Sequence, residues 1–118
     1  MKVFNQFVIL SHDHPIPHYD FMLEKEGFLS TWRFNKLPSD LPFFAEKTHD
    51  HRTVYLDFEG PISNYRGEVK RIDKGSYEII ADSEDFIIIQ INGEKYKGRI
   101  NLDRLGVDTF LGIFLEEK

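Results

Sequence analysis

Short apolar runs broken by turn residues dominate the chain, and no stretch sustains a helical period. Phe7-Val8-Ile9-Leu10 has the length and composition of a buried strand. From His18 to Glu24 the residues sort by twos, with Tyr19, Phe21 and Leu23 on one face and His18, Asp20, Met22 and Glu24 on the other. The aromatic and leucine face is expected to be the core face, and the other to be the outer surface. Lys25-Glu26-Gly27 then turns the chain into a strand over Phe28–Phe34. Further strands are predicted over Thr53–Phe58, Gly67–Ile72, Tyr77–Ala81, Phe86–Asn92, Tyr96–Leu102 and Thr109–Leu115. Turns are predicted at Gly60-Pro61, Lys74-Gly75-Ser76, Asn92-Gly93 and Leu105-Gly106, with Asn92-Gly93 the strongest hairpin signal. Asn35 to Lys47, which holds Pro38 and Pro42, is the least regular stretch and is expected to contain a short helical turn. Eight or nine strands predict a mainly β fold, a small antiparallel barrel or a sandwich. The 118 residues are expected to form one domain.

Composition narrows the chemistry. The absence of cysteine excludes disulfides, thiolate metal sites and cysteine nucleophiles, so a metal site must use histidine, carboxylate, carbonyl or water. A net charge of −5 argues against a binder that relies on bulk positive charge, though not against a local basic patch. No apolar run approaches the roughly 20 residues of a membrane-spanning helix, and polar residues interrupt the N-terminus before any signal-peptide pattern forms. A soluble cytoplasmic domain is expected.

All five histidines fall in the first 51 residues, in two clusters: His12, His14 and His18 with Asp13 and Asp20, then His49 and His51 with Asp50. His18 and Asp20 share a strand face, and His12 ends the preceding strand, so two imidazoles and a carboxylate can meet as a facial set with open positions. Nitrogen and oxygen ligands of this kind suit Mn²⁺, Zn²⁺, Co²⁺ or Ni²⁺. The same pattern also describes a solvated strand face whose histidines bind nothing. In the second cluster, a strand over Thr53–Phe58 extended backwards puts His51, Tyr55 and Asp57 on its outer side. His51 and Tyr55 could then both donate to a phosphate oxygen, or His51 could act as a general acid. Taken alone, that spacing fits an ordinary surface histidine and a half-buried tyrosine at least as well. Asp13, His14, His49 and Asp50 read as loop polars or as partners that orient a ligating imidazole.

These residues resemble a known family. His12, five intervening residues, His18-Tyr19-Asp20-Phe21, Leu23-Glu24, Gly27, Leu29 and Trp32 are similar to the 3′-phosphoesterase domain of DNA ligase D. The similarity continues through Lys36, Pro38-Ser39, Asp50-His51, Tyr55 and Asp57-Phe58-Glu59-Gly60-Pro61, and returns at Gly93–Arg99. The resemblance implies a small β-barrel with its active site in a surface groove. It implies Mn²⁺-dependent removal of a 3′-terminal ribonucleoside and then of the 3′-phosphate, preparing DNA or RNA-tipped DNA 3′ ends for non-homologous end joining. His12, His18 and Asp20 would be the metal ligands, and His51 and Tyr55 would contact the phosphate and support catalysis.

The chain also departs from the family. Met22 stands where the family has an arginine, two residues after the aspartate, and Phe43 where it has a second phosphate-binding arginine. The family's charged N-terminal arm is expected to be missing, since the first strand starts almost at once. Ligase and polymerase functions would belong to separate repair proteins. Arg33, Arg52 and Lys36 are the substitute phosphate-binding groups the sequence offers, although simple strand alternation turns Arg52 away from His51. Two other functions fit the same residues: a metal-dependent hydrolase for a different phosphoester, and a non-catalytic module docking on DNA ends or repair proteins. Lys70, Arg71, Lys74, Lys95, Lys97 and Arg99 would supply a basic patch for the latter.

Overall fold

A computed structural model describes residues 2–118. Its strands are β1 (Gln6–His12), β2 (His18–Lys25), β3 (Phe28–Phe34), β4 (Phe43–Lys47), the two-residue β5 (Gly60–Pro61), β6 (Glu68–Asp82), β7 (Phe86–Gly93), β8 (Lys97–Arg104) and β9 (Thr109–Glu116). They are ordered β1-β2-β3-β4-β9-β8-β7-β6-β5, and β1 also pairs with β6. That last pairing closes eight strands into an antiparallel barrel, with β5 an appendage on β6. Closure removes the open edges that a sheet of this size would otherwise expose. The expected fold class is therefore the observed one.

The barrel interior is aromatic, as 11 phenylalanines suggest. Phe7, Phe21, Phe34 and Phe43, one each from β1 to β4, are fully buried, and their ring centroids follow one another at 6.0, 5.2 and 4.5 Å. Ile89, Ile91, Ile100 and Leu102 of β7 and β8 fill the opposite wall. Position 43 therefore faces the barrel core, away from any surface groove. Of the stretch expected to contain a helical turn, Phe43–Lys47 is β4, and the residues before it turn the chain, with the Asp40 N–H on the Leu37 carbonyl at 2.9 Å. Phe43 and Ala45 alternate inward and pair with Gly112 and Phe110 of β9, and that pairing gives the segment its strand conformation.

Two predicted strands are one. Gly67–Ile72 and Tyr77–Ala81 belong to the continuous, 15-residue β6, and Lys74-Gly75-Ser76 is not a turn. Gly75 lies opposite Phe7 of β1 on one edge and Gly93 of β7 on the other. A Cβ there would sit 2.1 Å from the Asn92 carbonyl oxygen, so this glycine serves close backbone approach. Asn92-Gly93 does mark a hairpin, but the residues that reverse the chain are 94–96. The buried Asp73 carboxylate holds them, accepting from the Lys95 and Tyr96 N–H groups at 2.9 and 2.8 Å.

The outer face of β1–β3 is also covered, against expectation. Val8, Leu10, Met22, Leu29, Leu56 and Val69 form a second apolar cluster outside the barrel, under the chain that runs from β4 to β6. His18, Asp20, Met22 and Glu24 are buried, not solvated, and Met22 is part of this cluster. The predicted strand over Thr53–Phe58 is instead a 3₁₀ turn over Thr53–Leu56. Tyr55 and Asp57 donate their N–H groups to the Arg52 and Val54 carbonyls, because no neighbouring strand offers this segment a ladder. The turn presses Leu56 into the outer cluster and leaves Val54 exposed, where alternation placed it inside. No helix among the described residues is long and apolar enough to cross a membrane.

Candidate metal centre and active-site groove

The register of the β1–β2 hairpin places His12 directly opposite His18. Asp20 is two residues further along β2 and so shares their face. One ligand atom from each of His12, His18 and Asp20 lies within 4.8 Å of the others. His12 Nδ1 is 3.5 Å from Asp20 Oδ2, and His18 Nε2 is 3.2 Å from Asp20 Oδ1.

Hydrogen bonds on the far side of each ring set the tautomers. His18 Nδ1–H donates to the Ile16 carbonyl at 2.7 Å, and His12 Nε2–H donates to the Arg66 carbonyl at 2.8 Å. Each ring therefore turns its unprotonated nitrogen toward Asp20. His18 Nε2 is buried without a hydrogen-bond partner, which is costly unless a cation or a proton fills the space before it. Burial disfavours charge on this ring, but the Asp20 carboxylate 3.2 Å away and the Ile16 carbonyl outweigh it and raise its pKa above the ordinary histidine value. The donor set fits a divalent cation: two nitrogens and a carboxylate, each imidazole oriented by a backbone carbonyl.

His12, His14 and Asp20 of the first cluster and His49, Asp50 and His51 of the second, distant in sequence, line one groove of about 580 Å³, with His18 behind Asp20. His51 is brought there by an isolated bridge to Leu29, at the start of β3, with both backbone N–H···O bonds formed at 2.8 and 2.9 Å. Its Nδ1–H donates to the His49 carbonyl at 3.0 Å, and the two rings stack at 4.6 Å. Burial lowers the pKa of His51, against the opposing pull of Asp20 and the His49 carbonyl. The ring is thus neutral near pH 7, with Nε2 free to accept. Tyr55 meets it edge-on at 5.9 Å, so the 3₁₀ turn preserves the neighbourhood for which a strand was expected.

Arg33 lies opposite Asp20 in the β2–β3 register and lines the groove, with its Nε buried and unpartnered. Arg52 also lines it, from a loop just before the turn, with its guanidinium 6.0 Å from the centre of the Tyr55 ring. Strand alternation no longer applies there, and the arginine need not point away from His51. Lys36 is exposed after β3 and does not line the groove. Met22 contributes to the groove lining. Asp13 accepts the Glu68 N–H at 2.8 Å, which with its own N–H lowers its pKa, and so fastens the loop after β1 to β6. Of the basic residues expected to form a patch, Arg71 and Lys74 pair with Glu59 and Asp57 and none lines this groove, while Lys70 lines a neighbouring cavity with His12 and His18.

Arg66 was not foreseen. It lines the groove and supplies the carbonyl that orients His12. The available signal was the Ser63-Asn64-Tyr65-Arg66-Gly67 stretch, a polar turn between β5 and β6 that carries one arginine.

The comparisons with known proteins converge on one family. The profile of the DNA ligase D 3′-phosphoesterase domain matches residues 10–104. The multifunctional non-homologous end joining protein LigD of Mycobacterium bovis is 35% identical over 124 residues, covering 91% of this chain and 15% of that protein. LigD of Pseudomonas aeruginosa is 33% identical over 110 residues, covering 84% of this chain and 13% of its own. The chain thus spans about 15% of the length of the first of these relatives and 13% of the second. With the match running from the end of β1 to the end of β8, and so through every groove residue described above, the chain belongs to the DNA ligase D 3′-phosphoesterase domain family.

Proposed function

We propose that the groove is a metal-dependent phosphoesterase site acting on nucleic-acid 3′ ends in double-strand-break repair by end joining. In this reading it removes a terminal ribonucleoside and then the 3′-phosphate. The observation that carries it is the buried, unpartnered His18 Nε2, turned with His12 Nδ1 toward one carboxylate. His12, His18 and Asp20 would hold the cation, with Mn²⁺ the expected occupant and Zn²⁺, Co²⁺ or Ni²⁺ compatible with the same donors. A bound cation of this kind polarises a phosphoryl oxygen and acidifies a bound water.

The remaining roles fall to the chain's own groups. His51 is neutral and its Nδ1–H is committed to the His49 carbonyl, so its free Nε2 accepts a proton or orients a water and is not a proton donor at rest. Tyr55 donates its hydroxyl to a phosphate oxygen. Arg33 and Arg52 stabilise the charge that builds on the phosphoryl group, each charge-assisted bond contributing about 1.5–3 kcal/mol. Sealing the healed end would be the work of other repair modules, such as a ligase or a polymerase.

The test is phosphate release by metal-stripped protein resupplied with Mn²⁺, from a 3′-phosphate primer–template and, in parallel, from p-nitrophenyl phosphate. Release that needs Mn²⁺ and favours the primer supports this function. Release from the small ester alone replaces it with a different phosphoesterase. Tight DNA binding with no release from either would leave an end-docking module.

A further inference from the structure

Arg52, Tyr55, Ile62, Ser63 and Arg66 line the metal-end groove and also a second cavity of about 640 Å³ beside it. The two form one trough, with both arginines at the junction. Each half alone is within the ~300–1,000 Å³ of an ordinary ligand pocket, so the trough is far longer than a single phosphate requires.

The guanidinium of Arg66 is held in place before any ligand arrives. Its Nε and Nη2 donate to the Ser63 carbonyl and hydroxyl at 2.9 and 3.3 Å. The loop beneath it is closed by the Ile62 N–H on the Gly67 carbonyl at 2.7 Å. Asn64 and Tyr65 both take left-handed backbone angles, φ 63° and 56°, so the loop accepts strain to hold this shape. A fixed arginine binds an anion with less entropy to lose. Among the described residues Arg71 is the only arginine in an ion pair, which leaves Arg52 and Arg66 without a carboxylate partner.

We propose that Arg66, together with Arg52, binds a phosphodiester upstream of the reacting 3′ end, so that the trough takes a nucleic-acid strand and not only its terminal phosphate. This rests on the phosphoesterase reading, which puts the reacting phosphate at the other end of the same trough.

The test is fluorescence anisotropy with a 5′-labelled oligonucleotide ending in 3′-phosphate, in an all-phosphodiester form and in a form with neutral methylphosphonates at its last two linkages. Wild type, R66A, R66K and R52A are compared, with phosphate release measured on the same oligonucleotides. The Arg66 carbonyl, and with it the His12 hydrogen bond, is retained in every variant. R66A should weaken binding of the charged oligonucleotide about tenfold. It should change binding of the methylphosphonate form less than twofold, and R66K should recover part of the loss. Equal losses on both forms, or no loss on either, overturn the proposal. If wild type still releases phosphate in that case, only the upstream subsite is lost. If wild type neither binds nor releases, the phosphoesterase reading falls with it. The neutral linkages test the subsite on wild type as well, so the result does not depend on a variant folding.

Discussion

His12 and Arg66 are joined by a 2.8 Å hydrogen bond from the imidazole Nε2–H to the backbone carbonyl, across 54 residues of sequence. The bond couples the β5–β6 loop to the candidate metal ligand His12: the same residue that orients His12 also carries a guanidinium into the groove.

Gly67 tests that coupling. Its φ is +82°, and a Cβ would lie 2.2 Å from Asp13 Oδ1 and 2.6 Å from His14 Cβ, so Gly67→Ala must displace the loop. The barrel does not depend on the loop and should stay folded. Loss of the carbonyl behind His12 should weaken Mn²⁺ binding by about 10–100-fold, the usual effect of removing such an orienting partner. Calorimetric titration checks it, and unchanged affinity would mean the hydrogen bond is incidental.

His51 sets the acid side of the pH profile. Its pKa is lowered, first by burial, so as a proton acceptor it stays competent below the ordinary histidine range. The rate should fall as pH drops through this lowered value, at a pH below about 6.5. The stability sign follows separately. Between the folded and unfolded pKa values the unfolded chain binds more protons, so this group makes stability rise with pH across that window. His51→Gln should flatten both dependences, as stopped-assay rates and thermal melts from pH 5 to 8 would reveal.

Arg33 lies opposite Asp20 in the strand register, and its Nε lacks a partner. Arg33→Met keeps much of the side-chain bulk and removes the charge. Phosphate release should drop by about 10–100-fold with little change in melting temperature. A drop matched by unfolding would assign the residue to packing instead.

Gly75→Ala distinguishes close approach from a turn. At a turn position whose backbone angles suit alanine the substitution would stabilise by about 0.4–1 kcal/mol. Here the new methyl meets the Asn92 carbonyl oxygen at 2.1 Å and the Gly93 Cα at 2.7 Å, backbone atoms that cannot swing aside. About 2–4 kcal/mol of destabilisation is expected in urea melts, because the β6–β7 ladder must part locally.

What sequence could show depended on how far apart the partners were. The convergence of His12, His18 and Asp20 was legible because a single local hairpin places all three, and its alternation fixes both register and face. The groove that joins them to His51 was not, since it depends on the Leu29–His51 bridge, a tertiary pairing with no local signature. The burial of Met22, on the same strand face, was missed for a related reason: it packs with Leu56 and Val69, far along the chain. Lys74-Gly75-Ser76 misled because a glycine between polar residues looks the same whether it turns the chain or lets two strands approach. Position 43 carried little weight in the end, since Phe43 points into the barrel and no arginine there would face the groove.

The central claim is that His12, His18 and Asp20 bind the metal on which 3′-end chemistry depends. Electron paramagnetic resonance of free Mn²⁺, titrated with metal-stripped wild type, His18→Ala and Asp20→Ala, tests it most directly. One Mn²⁺ per wild-type chain, with binding lost in both variants while their barrels remain folded, is the predicted result. Wild type that leaves the free Mn²⁺ signal intact, or variants that bind as it does, would contradict the account.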